Sequence, residues 1–128
     1  MNRYLLDTHT FLWWLTEDER LSKNALQIIE SDVALFLSAA STWEIAIKHA
    51  KGRLELPKNL NTYIHGQIQK KNITSLPIQI THTLKTATLP PHHADPFDRI
   101  LIAQTQLENM ILITNDPLIK KYSVKTMW

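Results

Sequence analysis

The sequence predicts an α/β domain built on a mostly parallel β-sheet, and two observations carry that expectation. Its apolar runs "RYLL", "VALFLSA" and "MILIT" are short and continuous, the pattern of strands buried on both faces. Longer segments with helical apolar spacing separate them, so strand and helix alternate along the chain. In open sheets of this kind ligands gather outside the carboxyl ends of the strands, so the residues just past each strand matter most. The 128 residues suit one domain spanning 1–128. A chain of that length buries roughly 68% of the surface it exposes when unfolded, enough for a core without covalent staples.

Each element has its own signal. "RYLL" is a first strand ending at Asp7, and "THTFLWWL" comes next with Phe11, Trp14 and Leu15 at helical spacing. "SKNALQIIES" reads as a helix with Ser22 as N-cap, and "VALFLSA" as a second strand. "STWEIAIKHAKGRLELP" reads as a helix closed by Gly52 and Pro57, with Trp43, Ile47 and Ala50 marking its apolar face. "LNTYIHGQIQKKN" is a helix weakened by Gly66; "ITSLPI" is a short strand, "THTLKTA" a short helix and "LPPHHA" a loop. "DPFDRILIAQTQLEN" is a strong helix with Asp95 as N-cap and Pro96 at its first position. "MILIT" is a buried strand, "PLIKKY" a helical turn and "VKTMW" a last strand.

Composition narrows the chemistry. The absence of cysteine removes disulfides, thiolate metal sites and a cysteine nucleophile. No apolar run approaches the roughly 20 residues of a membrane span, and the N-terminus lacks the shape of a signal peptide. The expectation is a soluble, cytoplasmic protein without membrane partners. A net charge of +2 does not argue for nucleic acid by itself. Lys48, Lys51, Arg53, Lys58, Lys70 and Lys71 nevertheless make the middle basic, as either a solvated surface or a phosphate-facing one.

Four acids succeed or face strand ends. Asp7 ends the first strand, Asp116 comes just after "MILIT", Glu44 lies in the helix after "VALFLSA", and Asp98 lies in the first turn of the helix before "MILIT". Each has a plain alternative: Asp7 as a cap, Glu44 as an i,i+4 partner of Lys48, Asp116 as a turn cap before Pro117. Asp98 is hardest to dismiss, because Asp95 already supplies the cap and Asp98 shares a helix face with Leu101, Ile102 and Thr105. Its remaining plain reading is a partner for Arg99 or another cation. Two carboxylates about 5 Å apart repel by roughly 3 kcal/mol at an effective dielectric near 20, so a convergent cluster demands a cation. Oxygen ligands suit Mg²⁺ or Mn²⁺, and such a site flanked by lysines fits phosphodiester hydrolysis.

The blocks "LLDTHTFLWWL", "SAASTWEIAIKHAKGRLELP", "DPFDRILIAQ" and "LITNDPLI" together resemble PIN-domain ribonucleases, and within them the VapC-type toxins of toxin–antitoxin pairs. The resemblance runs from Tyr4 to the C-terminus, with residues 56–90 carrying the least signal. It implies a three-layer sandwich whose mostly parallel sheet of four to five strands is flanked by helices. It implies an Mg²⁺- or Mn²⁺-dependent endoribonuclease, usually a homodimer, inhibited by a cognate antitoxin. The family's acids fall on Asp7, Glu44, Asp98 and Asp116, and its supporting hydroxyl positions on Thr8 and Thr114. The family spaces its third acid about eighteen residues before the last, which selects Asp98 over Asp95 and leaves Asp95 to cap the helix, with a supporting place near the metal.

The mechanism expected on this reading has Asp7 and Asp98 as main ligands. Asp116 and Glu44 complete the site through waters or a second ion, and a water oriented by a carboxylate attacks the RNA phosphate in line. Arg99 either stabilises charge or pairs with an acid. Two rival readings stand beside this one. An aspartyl-phosphate phosphatase or phospho-acceptor also ends a parallel strand in Asp, but His9 occupies the phosphatase's second-Asp position and "ITNDP" lacks the acceptor's lysine. A non-catalytic RNA- or protein-binding PIN-like module is the other rival, against which the presence of all four acids argues. His92-His93 is discounted as a metal pair because no third ligand has suitable spacing, and Trp13-Trp14 reads as core or interface.

Overall fold

The computed structural model describes residues 2–128. The strands are β1 (Arg3–Leu6), β2 (Ala34–Ser38), β3 (Thr74–Leu76), β4 (Ile111–Ile113) and β5 (Lys125–Met127). The helices are α1 (Thr8–Leu15), α2 (Lys23–Ile29), α3 (Ala39–Ala50), α4 (Leu60–Lys70), α5 (Ile80–Lys85) and α6 (Pro96–Leu107). Single 3₁₀ turns at Thr86–Thr88 and Ile119–Lys121 complete the regular structure. The sheet runs β3-β2-β1-β4-β5, and every pairing is parallel. This is the α/β fold with a parallel sheet that the sequence predicts.

The continuous apolar runs are explained by layers on both faces. Tyr4 and Leu6 of β1 pack with Phe11, Ala25 and Ile64, from α1, α2 and α4. Leu5, between them, packs on the other side with Leu101 and Ile102 of α6. In β4, Leu112 and Ile113 divide in the same way. Side chains alternate across a strand, so a strand covered on both sides must be apolar at every position. Burying each such Leu or Ile contributes roughly 1.5–3 kcal/mol.

The start of each helix reflects local chemistry. Ser22 accepts from the Ala25 N–H at 2.9 Å, Asn59 from Thr62 at 3.3 Å, and Asp95 from Phe97 at 2.8 Å and Asp98 at 3.4 Å. Gly52 takes a φ of +70°, the left-handed conformation that closes α3 cheaply with glycine. Gly66 is accommodated inside α4.

One helix face differs from expectation. The buried residues of α3 are Ala40, Ser41, Glu44 and Ile45, whereas Trp43 is 60% exposed and Ala50 is also exposed. The small residues Ala40 and Ser41 face the neighbouring elements, and Ser41 accepts a hydrogen bond from Thr8 at 2.8 Å. This close packing against α1 and α6 sets the rotation of α3: it turns Glu44 inward and Trp43 outward.

Candidate metal centre

The acids meet at the carboxyl edge of the sheet because the topology delivers them there. The Asp7 N–H donates to the Ile113 carbonyl at 3.1 Å, in register with the Leu6–Ile113 pairing, so β1 and β4 end side by side. Since α6 runs back to the start of β4, its first turn stands at the edge where the strands finish.

Asp7 occupies the N-cap position of α1 but its side chain makes no capping bond. Instead its Oδ2 accepts from Thr114 Oγ1 at 2.6 Å, and Thr114 Oγ1 in turn accepts the Asp116 N–H at 3.0 Å. Glu44 Oε2 takes Lys48 Nζ at 2.8 Å, so the i,i+4 pair foreseen as its plain alternative does form. The remaining oxygens, Asp7 Oδ1 and Glu44 Oε1, are buried with no hydrogen-bond partner among the described residues. Leaving a buried carboxylate oxygen unmatched is costly, and such groups are normally paired or bound to metal.

The charge is crowded. Burial pushes the Asp7 carboxyl up, although the Thr114 hydroxyl opposes it. Asp98 is pushed up to about 8, first by burial and then by Asp7, Asp95, Glu44 and Asp116. Four acidic neighbours acting on one carboxyl show that these acids share one field, and a divalent cation placed in it would reverse the shift.

A residue discounted from the sequence lies in the centre. His93 Nε2 is 3.1 Å from Asp98 Oδ2 and 2.8 Å from Asp116 Oδ2. One ligand-type atom from each of these residues lies within 4.8 Å of the others. His93 Nδ1 accepts the Asp95 N–H at 3.2 Å, which places the proton on Nε2 and makes His93 a donor to both carboxylates rather than a lone-pair ligand in this arrangement. Spacing between metal ligands could not reveal this, because the other two members lie on α6 and after β4. The available signal is position: His93 sits two residues before a helix cap at the functional edge. His92 faces elsewhere, edge-on to Tyr122.

The supporting residues divide. Thr114 hydrogen-bonds to Asp7, whereas the Thr8 hydroxyl joins α1 to α3 by donating to Ser41. Asp95 caps α6 with its side chain and adds to the field on Asp98. Arg99 makes no ion pair with an acid, which corrects one of its two expected roles. Its guanidinium donates to the carbonyls of Thr86, Leu89, Pro90 and His93 and to the Tyr122 hydroxyl. It therefore organises the loop that carries His93. On the other flank, Asp7, His9, Thr10, Trp13, Arg20, Asn115 and Asp116 line an open depression of about 300 Å³.

The cluster fits a hard divalent cation. Asp7 and Glu44 are each fixed through one oxygen and keep the other buried and uncommitted, and oxygen donors suit Mg²⁺ or Mn²⁺. Asp98 keeps one oxygen clear of His93. Asp116 has both engaged, Oδ1 accepting from the Leu118 N–H at 2.8 Å and Oδ2 from His93.

The fold and the acid-lined sheet edge agree with the family match: the chain belongs to the PIN domain family, which it matches over residues 4–125. Among curated proteins it is similar to ribonuclease VapC22 of Mycobacterium tuberculosis (strain ATCC 25618 / H37Rv), at 28% identity over 123 residues, covering 95% of this chain and 93% of that protein. Its fold is similar to VapBC2 from Rickettsia felis bound to a DNA fragment from their promoter, with TM-score 0.74, 12% identity and 98% of each chain covered. It also resembles DNA-bound VapBC from Salmonella typhimurium, with TM-score 0.70, 12% identity and coverage of 99% and 98%. FitAcB from Neisseria gonorrhoeae gives TM-score 0.68, 16% identity and coverage of 98% and 96%.

Proposed function

We propose that this chain is a metal-dependent endoribonuclease, the toxin component of a type II toxin–antitoxin pair, formed by one PIN-like domain over residues 1–128. The observation that carries the proposal is the pair of buried, unpartnered carboxylate oxygens, Asp7 Oδ1 and Glu44 Oε1, beside the crowded Asp98. Asp7 and Asp98 would hold Mg²⁺, or Mn²⁺ in its place, with Glu44 beside them. Asp116 would complete the site through water. When bound, the cation supplies Lewis acidity to the phosphate and acidifies water.

The chain's own groups prepare that site. Thr114 orients Asp7 through Oδ2 and leaves Oδ1 for the ion. Lys48 does the same for Glu44 through Oε2. The loop anchored by Arg99 sets His93 against Asp98 and Asp116. Asp116 is the more exposed of the two carboxylates that His93 bridges and, once His93 releases its Oδ2, the one suited to orient the attacking water.

The similarity to a protein named a ribonuclease supports RNA as substrate. The similarity to VapBC assemblies supports a cognate antitoxin as partner, and a homodimer and a cytoplasmic setting are part of the same proposal. Among the described residues no helix is long and apolar enough to cross a membrane. The test is cleavage of total cellular RNA with Mg²⁺, with EDTA, and by Asp98→Asn, with the cut ends then mapped. The proposal expects discrete cuts in Mg²⁺ only, absent from the variant; equal cutting by the variant defeats it.

A further inference from the structure

Trp43 and Phe97 are the chain neighbours of Glu44 and Asp98, so their Cα atoms stand about 3.8 Å from those of two acids of the centre. Glu44 turns inward from α3, and Trp43 is left 60% exposed. Phe97, on α6, is partly buried in the core and meets Trp43 edge to face, with ring centroids 5.2 Å apart and planes at 82°. The pair bridges the two helices that carry Glu44 and Asp98. Phe97 braces the tryptophan, whose indole keeps most of its surface open.

The cations nearest in sequence on this flank are already engaged. Lys48 is held by Glu44, and Arg99 is spent on loop carbonyls and Tyr122. A strand of RNA brought to Glu44 and Asp98 therefore meets an exposed aromatic surface on the same two helices. Unpaired bases offer flat π faces to such surfaces, and stacking tolerates any base.

Resting on the ribonuclease reading, we propose that Trp43, braced by Phe97, stacks an unpaired base of the RNA beside the phosphate that is cut.

The test compares the full-length wild type with Trp43→Ala and Trp43→Phe on a single-stranded RNA oligonucleotide and on the same oligonucleotide with an abasic residue next to the mapped cut. Thermal melts confirm folding, which an exposed side chain leaves intact. Trp43→Ala is expected to lower kcat/KM by about tenfold or more, chiefly through KM, while Trp43→Phe retains most of it. The abasic substrate is expected to lower the wild type by the same factor and to add nothing to the loss in Trp43→Ala. Wild-type rates from Trp43→Ala, or a loss of equal size on the abasic substrate, overturn the stacking role while the nuclease stands. Undiminished RNA cleavage by Trp43→Ala with weakened binding of a partner protein overturns it in favour of a protein surface. A wild type inert on RNA in both Mg²⁺ and Mn²⁺ removes the nuclease reading and this proposal together.

Discussion

Two histidines use the same local device to different ends. His82 Nδ1 accepts the Gln79 N–H at 3.0 Å, and its Nε2 meets Glu108 at 3.0 Å. His93 Nδ1 accepts the Asp95 N–H, and its Nε2 meets Asp98 and Asp116. Each ring is fixed by a backbone donor just before a helix. His82 faces a single carboxylate, that of the α6 C-cap Glu108, ties α5 to the end of α6 and has only 1% of its side chain exposed. His93 is 10% exposed and bridges two carboxylates that already repel. A buried histidine–carboxylate contact is therefore no sign of function by itself; His93 is set apart by the surplus of negative charge on the far side of the contact.

The largest effect that separates the two regions is on activity. Asp98→Asn should reduce RNA cleavage by at least about 100-fold, the share expected of a lost metal ligand. Glu108→Gln should stay within about twofold of wild type in the same assay. Next comes stability. His82→Ala leaves a fully buried gap and strands its partners, at a cost of about 2–4 kcal/mol in chemical denaturation. His93→Ala should also lower the melting temperature of the metal-free protein, because Asp98 and Asp116 lose their shared donor. Saturating Mn²⁺ should restore His93→Ala to the level of the metal-loaded wild type, and should leave His82→Ala below it. Thr114→Val removes a hydroxyl bonded to a charged oxygen, and should weaken Mn²⁺ binding by about tenfold in a calorimetric titration.

A further effect is a pH slope in EDTA. The folded pKa of Asp98, about 8, lies above its ordinary value of 3.8, so the native state holds a proton that the unfolded chain releases. Stability then falls as pH rises from near 4 to near 8. Thermal melts should show that decline, and Asp98→Asn should flatten it and raise the melting temperature at pH 8 by roughly 4 °C or more.

The contrast between the histidines also separates features that are legible in the sequence from those that are not. Strand positions and helix ends are readable from apolar runs and caps, because these signals are local: Ser22, Asp95 and Gly52 each act on residues within a turn. The position of Asp98 on a buried face is legible from Leu101 and Ile102, which helical spacing places beside it. The rotation of α3 is not, because the small residues Ala40 and Ser41 set it by packing on neighbouring elements, and the large apolar Trp43 misleads. Nor are the roles of His93 and Arg99 legible. One depends on carboxylates brought together only by the sheet, and the other on carbonyls spread from Thr86 to His93.

The central claim is that Asp7, Glu44 and Asp98 form one cation site. Calorimetric titration of Mn²⁺ into the metal-free protein tests it without reference to any substrate. The account predicts saturable binding to the wild type, its loss in Asp7→Asn and Asp98→Asn, and its retention in Glu108→Gln. Wild-type affinity in Asp7→Asn and Asp98→Asn alike would contradict it.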